Sequence, residues 1–152
     1  MANTQAMCTT FMEELMEGIH NFTTGTGNTF KAALYLASAT QNASTTAYGT
    51  TGEVTGTGYT PGGVTVTNGT SPLATNTSAT AGTAYWTPSA SITYTSVTLA
   101  TAFDAVLIYN SSASNRAVSV HTFGSQTITA GTFTLTMPSN TTSTALIRLA
   151  TT

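Results

Sequence analysis

Charge is the scarcest property of this 152-residue chain: 5 % of its residues are Asp, Glu, Lys or Arg, against about 25 % in an ordinary soluble domain. Lys31, Arg116 and Arg148 are its only firm cations, too few to neutralise a nucleic-acid backbone. The one cysteine, Cys8, excludes a disulfide framework and any multi-cysteine metal site. The longest apolar runs, Ala32 to Ala37 and Ala105 to Tyr109, fall far short of a membrane span. No cation precedes Lys31 and no apolar core follows Met1, so a Sec-type signal peptide is not expected. No nucleic-acid partner and no membrane partner are therefore expected.

What the chain does have is threonine, about a quarter of the sequence, and a hydrophobic content of 40 %. That apolar share suits a folded domain. Threonine carries a β-branched carbon that favours pleated backbone and a hydroxyl that keeps the surface wet. It occupies the places that Lys and Glu usually take. A net charge of −2 gives weak colloidal repulsion and so favours association.

The first 22 residues differ from the rest. Phe11, Leu15, Gly18, Ile19 and Phe22 recur at three- and four-residue spacing, the period of one helical face. The pattern predicts a helix over residues 10–20, with Thr10 and Glu13 as a capping box, Glu14 complementing the N-terminus, and Gly18 and Asn21 as stop signals. The helix either closes one end of the domain or docks its Met- and Phe-bearing face on another subunit. The candidate subunit or shell interface is Phe11, Met12, Leu15, Met16, Ile19 and Phe22.

Beyond Asn21 the pattern alternates. Phe30, Ala32, Leu34 and Leu36 share one strand face, opposite Lys31, Ala33 and Tyr35. A low-complexity stretch from Ser38 to Thr83 follows, with Gly62-Gly63 before the short run Val64-Thr65-Val66-Thr67. Strands are then predicted near Ser91–Thr98, Ala102–Tyr109, Arg116–Phe123, Thr132–Met137 and Thr144–Leu149. Residues 103–109 are apolar on both faces, the mark of a central strand, and Asn110 to Asn115 has the length of a hairpin connection. The expected fold is mainly β: an antiparallel two-sheet sandwich, jelly-roll-like or immunoglobulin-like, with a short N-terminal α-helix. Residues 1–22 form the arm and helix, and 23–152 a single sandwich domain.

Chemistry finds few footholds. A hydrolase would combine His121 or His20 with Asp104 and a serine, but no Gly-x-Ser-x-Gly elbow surrounds any serine. A glycosidase would need two facing carboxylates, and Glu53 and Asp104 are the only acids off the helix. Asp104 either points inward, where Arg116 or Arg148 would have to partner it, or sits exposed near a strand start. Gly25-Thr26-Gly27 and Gly56-Thr57-Gly58 lack the lysine and the context of a phosphate loop and read as turns. No catalytic, cofactor-binding or metal-ligating residue is assigned, and no enzyme activity or cofactor is expected.

Six stretches taken in order carry a resemblance: Glu17-Gly-Ile-His-Asn-Phe22, Thr29-Phe-Lys-Ala-Ala-Leu-Tyr35, Glu53-Val-Thr-Gly-Thr-Gly-Tyr59 with Gly62-Gly63, Ala105-Val-Leu-Ile-Tyr-Asn110, Asn115-Arg-Ala-Val118 and Thr132-Phe-Thr-Leu-Thr-Met-Pro138. In their order and spacing they resemble a group of small tailed-bacteriophage proteins encoded among virion structural genes. The resemblance implies a virion structural protein, made in the host cytoplasm and assembled on the particle. Capsid decoration (cement) is the leading role it implies, with the major capsid protein or other virion subunits as partners and a homo-oligomer, a trimer foremost. A head–tail connector or a tail tube or fibre component is the alternative. A host- or glycan-binding sandwich, which would expose Tyr85-Trp86 in a shallow groove, is the second alternative.

Overall fold

A computed structural model describes residues 2–75 and 82–151. In chain order the elements are β1 (Ala6–Met7), α1 (Thr9–Met16), β2 (Phe30–Leu36), β3 (Val64–Thr65), β4 (Leu73–Ala74), β5 (Thr83–Trp86), β6 (Ile92–Asn110), β7 (Arg116–Leu135) and β8 (Ile147–Ala150). They form two antiparallel sheets, a larger one ordered β1-β7-β6-β2-β3 and a smaller one ordered β4-β5-β8. The fold is a mainly β sandwich with one short N-terminal helix.

The core follows from the doubly apolar stretches. β2 and the second half of β6 pair from Phe30↔Asn110 to Tyr35↔Ala105, and every residue from Ala105 to Asn110 is buried. Trp86 and Ile147 bring the smaller sheet into the same core, where Phe22 stacks on Phe30 at 4.3 Å and meets Trp86 at 4.8 Å. Residues 92–98 and 102–109, expected as separate strands, are one continuous strand, as are 116–123 and 132–135. Shifts of register between Tyr94 and Ala105 let the ladder run on through the gap between the expected strands. β8 begins at Ile147, three residues later than expected, because Thr141 to Ala145 closes a turn through the Ala145 N–H and the Thr141 carbonyl.

The N-terminal arm is built into the sandwich. β1 pairs with β7 at Val120 and Ser119, and Cys8 and Phe11 are fully buried. The helix is shorter than its apolar period suggests, ending at Met16 and not at residue 20. Gly18, at φ +73°, is the reason. Its N–H bonds the Leu15 carbonyl and the Ile19 N–H bonds the Glu14 carbonyl, a Schellman closure that needs a left-handed residue there. At the other end the capping box does not form. Cys8 is the N-cap, no side chain caps the helix, and the Thr10 hydroxyl is buried without a partner. Backbone contacts replace the cap: the Thr9 N–H donates to the Ala43 carbonyl and the Cys8 N–H to the Val118 carbonyl.

The stretch after Ser38, of which residues 76–81 lie outside the described residues, has little regular structure elsewhere, yet it is pinned. Its anchor is Glu53, a residue that the local pattern sets in an open turn. The carboxylate is buried and accepts three hydrogen bonds of 2.7 Å each, from the Tyr48 hydroxyl, the Tyr59 hydroxyl and the Gly62 N–H. Such charge-assisted bonds offset the cost of taking a carboxylate out of water. Burial first, then the bond to Glu53, raises both tyrosine pKa values, so the hydroxyls stay protonated as donors. Gly63, at φ +70°, crosses so close to β2 that a Cβ there would lie 1.7 Å from the Ala32 carbonyl oxygen.

Candidate functional site

Six residues were expected to share one interface, and the fold divides them. Phe11 and Phe22 are core residues. Leu15 and Ile19 are half-buried. Met12 and Met16 project from the helix, Met16 at 85 % exposure. One side of the helix thus closes the sandwich, and Met12 and Met16 on the other side are exposed.

Beside it lies a cleft of about 450 Å³, with Leu15 and Gly18 on the helix side and Tyr85, Trp86, Ile147 and Leu149 on the smaller sheet. Leu149 is 45 % exposed. Trp86, by contrast, is buried, and its indole N–H bonds the Asn68 side-chain oxygen at 3.0 Å and the Thr70 carbonyl at 3.1 Å. It is thus a core residue and not a flat exposed platform.

Glu14 holds this end of the molecule together. It points inward, not toward the helix N-terminus, and is buried. One carboxylate oxygen meets the His20 Nε2 at 2.6 Å and the other accepts from the Arg116 guanidinium. His20 Nδ1 lies 3.0 Å from the Asn110 side-chain nitrogen. The Asn110 oxygen accepts from the Ser112 N–H, which fixes the amide's orientation. Its nitrogen must therefore donate to Nδ1, and the ring proton of His20 sits on Nε2, facing Glu14. Both imidazole nitrogens are occupied, and the buried ring lies at the wall of the cleft beside Phe11 and Phe22. Glu14 shares three- and four-residue spacing with Phe11 and Gly18, and that spacing could have placed it on the inner face.

The remaining candidates are scattered. Asp104 is half-buried and accepts from the Asn3 side chain at 2.6 Å. Its partner is neither Arg116, which serves Glu14, nor Arg148, which donates to the Ser143 carbonyl. Asn3 also donates to the Leu36 carbonyl and accepts from the Gln41 N–H. The Asp104 contact therefore ties the arm to the sheet. Glu53 is engaged by Tyr48 and Tyr59, and Asp104 by Asn3. His121 Nε2 reaches the Ser119 hydroxyl at 2.9 Å, beside a cleft of about 490 Å³. Burial lowers the His121 pKa to about 4. Cys8 is a free, buried thiol whose pKa is pushed up to about 11 by burial and by the Glu14 charge. Among the described residues no group of three His, Cys, Asp or Glu side chains is placed to hold a metal, and no helix is long and apolar enough to cross a membrane.

The chain matches no protein family, no curated protein and no solved structure.

Proposed function

We propose that this chain is a virion structural protein of the tailed-bacteriophage kind, most readily a capsid decoration protein that binds and stabilises the shell. The observation that carries the reading is the outward side of α1. Met12 and Met16 stand exposed next to an apolar cleft, on a helix whose inner side is locked by Phe11 and Glu14. A rigid helix presenting unbranched, polarisable side chains is a surface that seats on another protein. The resemblance in motif order supplies the particle context. In this reading the partner is the major capsid protein or another virion subunit, the copies self-associate, and neither nucleic acid nor membrane takes part. The protein is non-enzymatic.

Attachment then rests on apolar and hydrogen-bonding contacts. The ionic groups free to contribute on α1 and its C-cap are the exposed Glu13 and Glu17, since Glu14 is turned inward. An exposed ion pair is worth about 0–1 kcal/mol and is screened by salt. Apolar burial contributes about 25 cal/mol per Å² and survives salt.

The test uses particles assembled from the genome that encodes this chain. Quantitative mass spectrometry should find it at a copy number comparable to that of the shell subunit. Tens of copies or fewer would move it to the head–tail junction or the tail, and absence from particles would overturn the reading. In co-sedimentation across a salt series it should stay bound to about 1 M NaCl, a range in which exposed pairs are screened within about 3 Å. Met16→Glu should loosen it more than Glu17→Gln.

A further inference from the structure

β7 changes character along its length. Up to Val120 its outer side is covered: the Ala117 N–H bonds the Thr46 carbonyl, the Val118 carbonyl accepts from Cys8, and β1 pairs with Ser119 and Val120. From His121 to Leu135 no described residue makes a backbone hydrogen bond to that edge. Gly124 to Thr127, Thr129, Ala130, Thr132 and Thr134 are exposed.

An open edge is a template for another strand, and proteins usually guard it with charge, proline or bulges. Here charge and proline are both lacking. No Asp, Glu, Lys or Arg occurs between Arg116 and Arg148, and the first proline of that stretch is Pro138. Burial keeps His121 uncharged at neutral pH. Bulging breaks up the first part, where Phe103↔Gln126 gives way to Ala105↔Thr122 and Ala130 takes φ +45°. It leaves Gly131–Leu135, whose inner side pairs in step at Tyr94↔Phe133, Thr93↔Thr134 and Ile92↔Leu135.

We infer that a second copy of this chain pairs with this edge, β7 against β7, antiparallel about a twofold axis perpendicular to the sheet. Edge length selects the occupant. The outermost strands among the described residues, β1, β3 and β4 with two residues each and β8 with four, are too short to cover it. Side-chain pattern selects the symmetry. Thr132 and Thr134 alternate with the half-buried Phe133 and Leu135. In the register centred on Thr134 such an axis sets Thr134 opposite its own copy, Thr132 opposite Thr136 and Phe133 opposite Leu135. Both kinds of pair are favourable across strands, and no like charges meet. The row Phe123, Phe133 and Leu135, packed on one side against the core and Phe103, continues into its own copy. This twofold contact takes the place of the trimer that the resemblance implied, and it holds whether or not the virion reading does.

Sedimentation velocity of the full chain decides it. The wild type should be a dimer at micromolar concentration. Thr132→Lys with Thr134→Lys should weaken the dimer by roughly tenfold or more, by setting like charges across the axis. Thr95→Lys, on the same face but on β6, should leave it intact. Should the lysine variants fail to fold, the substitution Thr134→Cys gives a second reading: under mild oxidation it should cross-link into a dimer, whereas Thr95→Cys should not. A monomer at all concentrations, a trimer, or a dimer that ignores the edge lysines and does not cross-link in the Thr134→Cys variant would overturn the inference.

Discussion

The two halves of the β6–β7 hairpin differ in composition and in company. Near the turn, Phe103 to Asn110 and Ala117 to Val120 are walled in by β2, by β1 and by the arm, and every one of them but Asp104 is buried. Farther along, Ile92 to Ala102 and Thr122 to Leu135 pair with each other but have little beyond them on the β7 side. Threonine is frequent in the open half and absent from the walled one, where Ser119 is the one serine. That difference follows whether the chain supplies a neighbour. The walled half makes the fold; the open half is surface the chain can share.

That contrast can be broken most sharply by truncation. Leu107→Ala, in the fully buried half, should cost about 2–5 kcal/mol in denaturant unfolding. Thr134→Ala should stay within about 0.5 kcal/mol for the dissociated chain. Comparable losses at both sites would erase the distinction.

Arg116 stands at the start of the walled half, and its guanidinium is the one full cation on Glu14 among the described residues. Arg116→Ala would leave a buried carboxylate with His20 alone. The Arg116 side chain is 42 % exposed, so the loss should fall below the 3–5 kcal/mol of a fully buried pair, at about 2 kcal/mol. Glu14→Gln with Arg116→Met should recover part of it, and thermal unfolding of the three variants would show whether the pairing matters.

His121 sits where the two halves meet, and it makes the boundary sensitive to acid. Its folded pKa, about 4, lies below the ordinary 6.5 because burial disfavours the imidazolium. The unfolded chain therefore binds a proton that the folded chain refuses. Stability should fall as pH drops from about 6.5 toward 4, by on the order of 1–3 kcal/mol, and level off below. His121→Gln should flatten that part of the profile. An unchanged slope in the variant would assign it to the carboxylates.

Smallest in energy is Cys8, whose thiol is fully buried with its pKa raised to about 11. Native protein should resist iodoacetamide, and unfolded protein should react at once.

Much of the walled half was legible in the sequence. Residues 103–109 are apolar on both faces, which a central position explains. Gly18 was legible as a stop, although the continuing period at Ile19 and Phe22 argued for a longer helix. The order around Glu53 was not legible, because it arises from tyrosines and a glycine N–H that converge only in three dimensions. Local pattern contains no trace of them. The same holds for Asp104, whose partner Asn3 lies 101 residues away. The open half was read as separate strands, since its Ser, Thr and Gly look like turns until the bulges accommodate them.

The central claim is that the open edge of β7 is covered by its own copy. Hydrogen exchange read by mass spectrometry, on dilute and on concentrated protein, tests it most directly. The outward-pointing amides of 131–135, those not bonded to β6, should exchange fast when dilute and become protected as concentration rises, while amides of 116–120 stay protected throughout. Exchange at 131–135 that ignores concentration would contradict the account.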